Sequence, residues 1–165
     1  MCSQPSEIPG KRFSAEDALS FAIRIEENGE AFYREAGRAA SGEAKRLLEE
    51  LAAEEAKHRV VFEKMLATLG TEPPEESYPG EYLAHLQYYV DGKAVFLSTA
   101  ADSGIAGGGD ARAVLDFAIQ RELDTVLYFQ ELRPVLPPAQ LEVLDAILAE
   151  ERDHFTQLSR AASAA

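Results

Sequence analysis

The residues best suited to chemistry are two copies of a Glu-x-x-His unit, formed by Glu55 with His58 and by Glu151 with His154. On an α-helix, residues three positions apart lie on the same face, so each unit directs a carboxylate and an imidazole toward one point. These are ligand types that divalent metal ions accept. One copy alone is weak evidence, because most such pairs are solvated surface residues. Two copies in the same local sequence predict a metal-binding bundle of helices.

The sequence that precedes the two units is duplicated as well. The units are 96 residues apart, and the same offset aligns Glu26 with Glu122 without any insertion. Four apolar residues before Glu26 recur at this spacing: Leu19, Phe21, Ala22 and Ile23 return as Leu115, Phe117, Ala118 and Ile119. The chain is therefore an internal duplication. Each half supplies a glutamate on one helix and a Glu-x-x-His unit on the next.

Four glutamates and two histidines at matched helix levels can meet in one core. Buried carboxylates need compensating charge, and two divalent cations would supply four positive charges for four negative ones. Carboxylate oxygens with two neutral imidazoles suit iron or manganese, whereas a structural zinc site more often uses thiolates. The predicted ligands of this dinuclear site are Glu26, Glu55, His58, Glu122, Glu151 and His154.

Within this set we expect Glu55 and Glu151 to bridge the two ions. Glu26 with His58 would complete one ion, and Glu122 with His154 the other.

Nearby acidic residues are rival ligands. Glu54 and Glu150 lack an imidazole three residues later, so we expect them to face solvent or a flanking helix. Glu27 and Glu30 compete with Glu26, but only Glu26 has the counterpart on the third helix. Tyr33 and Phe129, each seven residues after a ligand glutamate, are expected to pack beside the site. Tyr33 can also hydrogen-bond a ligand carboxylate.

The helices that must position these residues can be read from apolar periodicity and from Gly and Pro breaks. We predict a tail over residues 1–13 and a bundle over 14–160. A long crossover is predicted at 70–109, with a short helix near 81–90. His85 lies in this crossover and is expected at the surface. The predicted helices cover residues 14–40, 43–69, 110–133 and 138–160. Two tight helical hairpins joined by one long crossover indicate an all-α, antiparallel four-helix bundle with ferritin-like connectivity.

Composition limits the classes of partner and compartment. The formal charge of −13 repels nucleic acid and anionic lipid headgroups, so we expect neither nucleic acid nor membrane as a partner. No apolar run is long enough to span a bilayer. The only cysteine is Cys2, an expected inert thiol, which leaves no disulfide framework within the chain. With no secretory signal recognisable at the N-terminus, the expected location is cytoplasmic.

The ligand-bearing segments resemble the rubrerythrin-like branch of the ferritin-like di-iron carboxylate superfamily. Residues 22–33 and 51–58 resemble its first two helices, and residues 112–129 and 148–154 its third and fourth. The resemblance implies a four-helix bundle that holds two iron ions, with manganese or zinc as alternatives. It also implies redox chemistry with peroxide or dioxygen, in oxidative-stress or iron handling. No catalytic residue beyond the metal ligands is expected.

Two departures from the family pattern qualify this interpretation. Full rubrerythrins carry a rubredoxin-like iron–tetracysteine module, and with Cys2 alone this chain would need an external electron donor. Rubrerythrins also carry an extra carboxylate on the third helix, where Thr125 stands here, which puts their peroxide-reducing cycle in question. The alternatives are an iron-binding or ferroxidase protein without turnover of an external substrate, and a structural metal-binding bundle. A homodimer is expected, since bundles of this kind often associate.

Overall fold

The computed structural model describes residues 14–69 and 110–164. The predicted tail and the whole predicted crossover, including its short helix, lie outside these residues. Within the two described segments the chain forms α1 (Ala15–Ala39), α2 (Gly42–Ala67), α3 (Ala111–Leu132) and α4 (Pro138–Ala164).

Local sequence signals explain where the helices begin. Ser14 caps α1: its side chain accepts a hydrogen bond from the Asp17 amide, and the Asp17 carboxylate accepts one from the Ser14 amide. This reciprocal pair is a capping box with Asp in the place of Glu. Gly42 opens α2 at φ +61°, a left-handed conformation that glycine adopts without steric cost. Pro138 is the first residue of α4, where its missing amide hydrogen costs nothing.

The last helix is longer than the sequence analysis predicted. We expected it to end at residue 160, but α4 continues to Ala164. The added turn is rich in alanine, the best helix former. Ala162 is buried, and its carbonyl accepts a hydrogen bond of 2.7 Å from Arg112 at the start of α3. Tertiary contacts therefore extend the helix past the end of its hydrophobic pattern.

The helices pack as two antiparallel hairpins, α1 with α2 and α3 with α4. Across the hairpins, the Tyr128 hydroxyl donates to the Ala18 carbonyl at 3.0 Å, and the rings of Phe32 and Phe117 lie 5.2 Å apart. Early residues of α1 thus meet late residues of α3, so these helices are antiparallel too. Gln140, early in α4, donates to the Met65 carbonyl late in α2 at 2.8 Å, which gives that pair the same arrangement. The result is the predicted ferritin-like four-helix bundle.

The core consists of two apolar clusters separated by a charged layer. The first cluster contains the early part of α1 and the late part of α2, with Tyr128, Phe129 and Leu148 from the other hairpin. The second contains the late part of α1 and the early part of α2, with Leu115 and Leu158. On every helix the predicted metal ligands lie between the stretches that feed these two clusters. Because α2 ends at the first cluster and α3 begins at the second, the hairpins are connected between opposite ends of the bundle.

Candidate metal centre

All six predicted ligands are in the charged layer at the middle of the bundle. Glu26 comes from α1, Glu122 from α3, and the two Glu-x-x-His units from α2 and α4. None of the six is more than 3% exposed. Carboxylates are almost never buried to this extent unless they are paired or coordinate a metal ion.

The six side chains form two overlapping groups that could each hold an ion. Each group offers one ligand atom per residue, and these atoms lie within 4.8 Å of one another. The members of the first are Glu26, Glu55, His58 and Glu151, and those of the second are Glu55, Glu122, Glu151 and His154. Glu55 and Glu151 belong to both groups, which is the placement required of carboxylates that bridge two ions.

Both histidines turn the same nitrogen toward this layer. His58 Nδ1 lies 2.7 Å from Glu151 Oε1 and 3.8 Å from Glu26 Oε1, yet it makes no hydrogen bond. His154 Nδ1 lies 3.5 Å from Glu151 Oε2 and 3.7 Å from Glu122 Oε2, also without a hydrogen bond. The two oxygens of Glu151 thus face one histidine each. Close donor atoms that are not aligned with one another are typical of groups that converge on a shared ion.

The other histidine nitrogens bond to the glutamates that the sequence analysis had set aside. His58 Nε2 lies 2.9 Å from Glu150, and His154 Nε2 lies 2.6 Å from Glu54. The sequence analysis expected Glu54 and Glu150 to face solvent or a flanking helix; both are partly exposed, but the analysis did not predict that they contact the two histidines. Each reaches across to the histidine of the other hairpin and fixes its ring orientation, as carboxylates commonly do for metal-ligating histidines. Their recurrence at the 96-residue offset was the available signal.

The remaining rival carboxylates lie outside the layer. Glu27 is exposed, and Glu30 pairs with Arg34 at 2.7 Å and with Arg59 at 3.6 Å. Thr125, which stands at the position of the extra carboxylate in rubrerythrins, is 4% exposed. Among the described residues, the buried carboxylates that meet at this centre are the four predicted ones.

A phenol distinguishes the two halves of the centre. The Tyr33 hydroxyl donates a short hydrogen bond to the Glu122 carboxylate. Its counterpart at the 96-residue offset, Phe129, packs against Phe62 with ring centroids 4.8 Å apart and offers no donor. Both oxygens of Glu26 consequently lack a hydrogen-bond partner.

Gly29 makes room for the carboxylate of Glu55. A Cβ atom at this position would lie 2.1 Å from Glu55 Oε2 and 3.3 Å from a terminal nitrogen of Arg121. A glycine in the middle of a helix costs about 1 kcal/mol relative to alanine. The close approach of the Glu55 carboxylate is the structural reason for that cost. Arg121 itself, only 2% exposed, was missed by the sequence analysis because its repeat counterpart is the apolar Ile25.

Burial and mutual repulsion raise the pKa values of three carboxyls in this layer. Burial, and then the neighbouring Glu55 and Glu151, raise the pKa of Glu26 well above its usual value. Burial followed by Glu151 does the same to the pKa of Glu122, and burial followed by Glu151 raises the pKa of Glu55 to about 7. Burial and mutual repulsion thus disfavour the charged forms of these three carboxyls.

For the two histidines and Glu151, contacts within the layer favour the charged form instead. Burial alone would lower the pKa of His58, but contacts with Glu151 and Glu150 outweigh it and raise that pKa to about 9. Contacts with Glu122 and Glu151 similarly outweigh burial and raise the pKa of His154 to about 12. For Glu151, contacts with His154 and His58 outweigh burial and lower the pKa. The surrounding carboxylates thus favour the protonated form of both imidazoles.

Buried polar atoms without hydrogen-bond partners also indicate that the layer is suited to binding cations. Among the described residues, nine buried side-chain N or O atoms lack a hydrogen-bond partner, and all but Gln140 Oε1 belong to the six predicted ligands. Each such atom costs about 1–3 kcal/mol when left unpaired, and more when charged. Two divalent cations would satisfy them and neutralise the four carboxylates. The donor set of oxygens and imidazole nitrogens fits a pair of iron or manganese ions.

A cleft between α2 and α4 leads to the histidine side of the centre. It has a volume of about 280 Å³ and is lined by Glu54, Ala149, Glu150, Asp153 and His154. Its three carboxylates give the cleft a negative potential that attracts cations.

None of the helices in the described part of the chain combines the length and the apolar character needed to span a bilayer.

Comparison with known proteins agrees with this architecture. The family model for rubrerythrin matches residues 17–104, slightly more than half of the chain. A crystal structure of a candidate ferritin-like diiron-carboxylate protein from Thermotoga maritima superposes with a TM-score of 0.71 at 25% identity, covering 91% of this chain and 95% of that one. No curated protein matches the chain significantly.

Proposed function

Because this chain belongs to the rubrerythrin family, we propose that its buried carboxylate and histidine layer binds two iron ions that react with peroxide or dioxygen. One observation carries the proposal: eight of the nine buried unpaired polar atoms lie on the six predicted ligands. A protein gains nothing from such an arrangement unless a cation occupies it. The Thermotoga maritima protein, described as a ferritin-like diiron-carboxylate protein, supports iron as the metal.

The proposed ligand assignment follows the two overlapping groups. Glu26 and His58 would hold one ion, Glu122 and His154 would hold the other, and Glu55 and Glu151, which belong to both groups, would contact both ions. His58 and His154 bind through Nδ1, since their Nε2 atoms already pair with Glu150 and Glu54. This arrangement gives two positions of the same donor type at matched levels of the bundle.

When bound, the two ions would supply the electrons for reduction of an oxygen-containing substrate. The chain's own residues contribute position, charge and exclusion of water. Apolar clusters on either side, anchored by Phe62 and Phe32, keep bulk water away from the layer. Tyr33 holds Glu122 in one orientation by donating a hydrogen bond from its hydroxyl to that carboxylate. An external electron donor would complete each cycle.

Anaerobic titration with Fe(II) tests the metal content first. Metal-free protein should take up two ions per chain with a sharp endpoint. Glu55→Ala combined with Glu151→Ala should abolish binding of both ions, because both ions share these carboxylates. Glu50→Ala combined with Glu142→Ala is the matched control, since it removes two exposed carboxylates from the same helices. Uptake of less than one ion by the wild type would overturn the proposal.

The second step adds hydrogen peroxide or dioxygen to the Fe(II)-loaded protein and follows the absorbance. Repeated oxidation and reduction with a supplied reductant, faster with peroxide than with dioxygen, supports a peroxidase-like enzyme. The acidic cleft beside His154 favours a second candidate, an Fe(II)-oxidising protein that takes up iron through Glu54, Glu150 and Asp153. Oxidation of added Fe(II) with retention of the product, and without turnover of peroxide, would select that alternative.

A further inference from the structure

Arg121 is a buried cation next to the carboxylate layer that the proposed ligand set does not use. Its side chain is 2% exposed, and it comes from α3 one residue before Glu122. It makes a long hydrogen bond of 3.4 Å to the Ile25 carbonyl, and its guanidinium lies 5.6 Å from the centre of the Phe32 ring. Burying a guanidinium is costly unless nearby groups stabilise its charge, and a terminal nitrogen of Arg121 and Glu55 Oε2 both face the space above Gly29. The equivalent position in the other half of the repeat carries the apolar Ile25, so a buried arginine is not a feature common to both halves.

The position of Arg121 relates it to both halves of the centre. Ile25 and Arg121 are counterparts in the duplication and contact each other, so the pair lies near the pseudo-twofold axis that relates the halves. His58 and His154 are counterparts too, and their rings stack with centroids 5.7 Å apart. The axis therefore runs from the two histidines through the carboxylate layer to Arg121. A charge near this axis acts on both proposed ion positions.

The charge balance of the loaded centre then decides what Arg121 does. Four carboxylates and two divalent ions cancel, and the two histidines bind as neutral imidazoles. Arg121 adds one positive charge, because a guanidinium stays ionised in proteins. Glu54 and Glu150 are 37% and 58% exposed, so solvent screens their charges far more than that of Arg121. Among the described residues, Arg121 is the one buried arginine or lysine, and it lies beside the loaded centre. Asp124, the other buried charged residue of α3 outside the ligand set, accepts a hydrogen bond from Gln120 at 3.2 Å.

We infer that Arg121 is a positioning residue that makes the loaded centre select a small monoanionic ligand, such as hydroperoxide or azide, over a neutral one. Arg121 acts through its electric field on ligands at the metal pair. Because Gly29 has no side chain, no atom of that residue separates the guanidinium from the Glu55 carboxylate. The inference rests on the proposed function, since it requires two bound ions.

Azide binding to the metal-loaded protein tests the inference. Protein loaded with two Co(II) ions is titrated with azide and, separately, with neutral imidazole, and each dissociation constant is read from the visible absorbance. Arg121→Ile installs the repeat counterpart, and it should weaken azide binding by about tenfold or more while leaving imidazole binding unchanged. Arg121→Gln keeps a donor for the Ile25 carbonyl and should show the same loss of azide binding. It provides the test if the isoleucine variant does not fold.

Two further variants separate charge from packing. Arg121→Lys keeps the charge and should bind azide within about twofold of the wild type, because the Coulomb interaction depends little on the shape of the cation. Arg24→Gln also replaces an arginine with its repeat counterpart, but Arg24 is exposed, so azide binding should not change. Equal loss of azide and imidazole binding in Arg121→Ile and Arg121→Gln, or no loss in either, would overturn the inference. Failure of the wild type to bind two Co(II) ions would instead overturn the proposed function.

Discussion

His154 Nε2 lies 2.6 Å from Glu54 Oε2, and the duplication repeats this contact between His58 and Glu150 at 2.9 Å. Each contact joins a histidine of one hairpin to a glutamate of the other. A carboxylate on Nε2 fixes the tautomer and leaves Nδ1 free to bind a metal ion. The pair of contacts therefore prepares both imidazoles for coordination and also ties the hairpins together across the α2–α4 cleft.

Loss of these carboxylates should weaken metal binding without removing a ligand. We expect Glu54→Gln and Glu150→Gln each to lower the affinity for Mn(II) by about 10–100-fold, because the histidine ring is less well oriented and less basic. Calorimetric titration measures the effect. Glu50→Gln on the exposed surface of α2 is the matched control and should bind as the wild type does. Wild-type affinity in both Glu54→Gln and Glu150→Gln would contradict the role assigned to them.

A methyl group at Gly29 should disturb the site, whereas one at Gly37 should not. In Gly29→Ala the added Cβ would lie 2.1 Å from Glu55 Oε2, so the Glu55 carboxylate must move. We expect a loss of about 1–3 kcal/mol in the free energy of unfolding, with weaker metal binding. In Gly37→Ala, on the same helix, the Cβ would make only ordinary contacts, the nearest 3.4 Å from Glu49 Cγ.

For Gly37→Ala, the better helix propensity of alanine should raise the free energy of unfolding by about 0.4–1 kcal/mol. Urea denaturation and Mn(II) titration of both variants check the comparison. Normal metal affinity in Gly29→Ala would show that Glu55 does not need its observed position.

The hydroxyl of Tyr33 should matter for the metal ions and that of Tyr128 for the fold. Tyr33→Phe removes the donor to Glu122, while a phenylalanine fits the counterpart position 129. We expect at most about 1.5 kcal/mol loss of stability, but a weaker second step in a metal titration. Tyr128→Phe removes a 3.0 Å hydrogen bond to the Ala18 carbonyl and should lower stability by a similar amount with both binding steps unchanged. The reverse pattern in the two titrations would contradict this assignment.

Much of the centre was predictable because duplication turns a weak motif into a strong one. The ligand glutamates, histidines and the helices that bear them follow from the constant offset, which fixes helix level and face together. The Glu54 and Glu150 contacts obey the same offset but cross between hairpins, and helical periodicity within one helix contains no such information. Arg121 breaks the repeat, so an alignment of the halves treats it as noise. Its significance comes only from burial, which the packing of α1 against α3 determines.

The length of α4 was underestimated for a related reason. Its last turn, from Ala161 to Ala164, has little hydrophobic periodicity to mark it as helix. The turn is stabilised by alanine propensity and by the hydrogen bond from Arg112 to the Ala162 carbonyl. A contact between residues fifty positions apart in sequence is beyond local pattern analysis.

In the metal-free protein, the free energy of unfolding should fall as the pH rises. Folding raises the pKa of Glu55 from 4.5 to about 7 and that of His58 from 6.5 to about 9, so both favour the protonated folded state. Their stabilisation is complete below the lower value of each pair and is lost as the pH passes the higher one. The pKa of Glu151 shifts the opposite way, so its stabilisation is fully present above about pH 4.5 and stays constant between pH 5 and pH 9. Thermal unfolding of chelator-treated protein should therefore show a falling melting temperature between pH 5 and pH 9.

The metal-loaded protein should show the contrary trend, because ions displace these protons and bind more tightly as the pH rises. The difference in melting temperature between loaded and metal-free protein should then widen across the same range. Glu55→Gln cannot ionise at this position, so its metal-free form should lose less stability between pH 5 and pH 7 than the wild type does. A gap that narrows with rising pH would mean that the carboxylates and imidazoles of this layer are not the groups that metal ions and protons share.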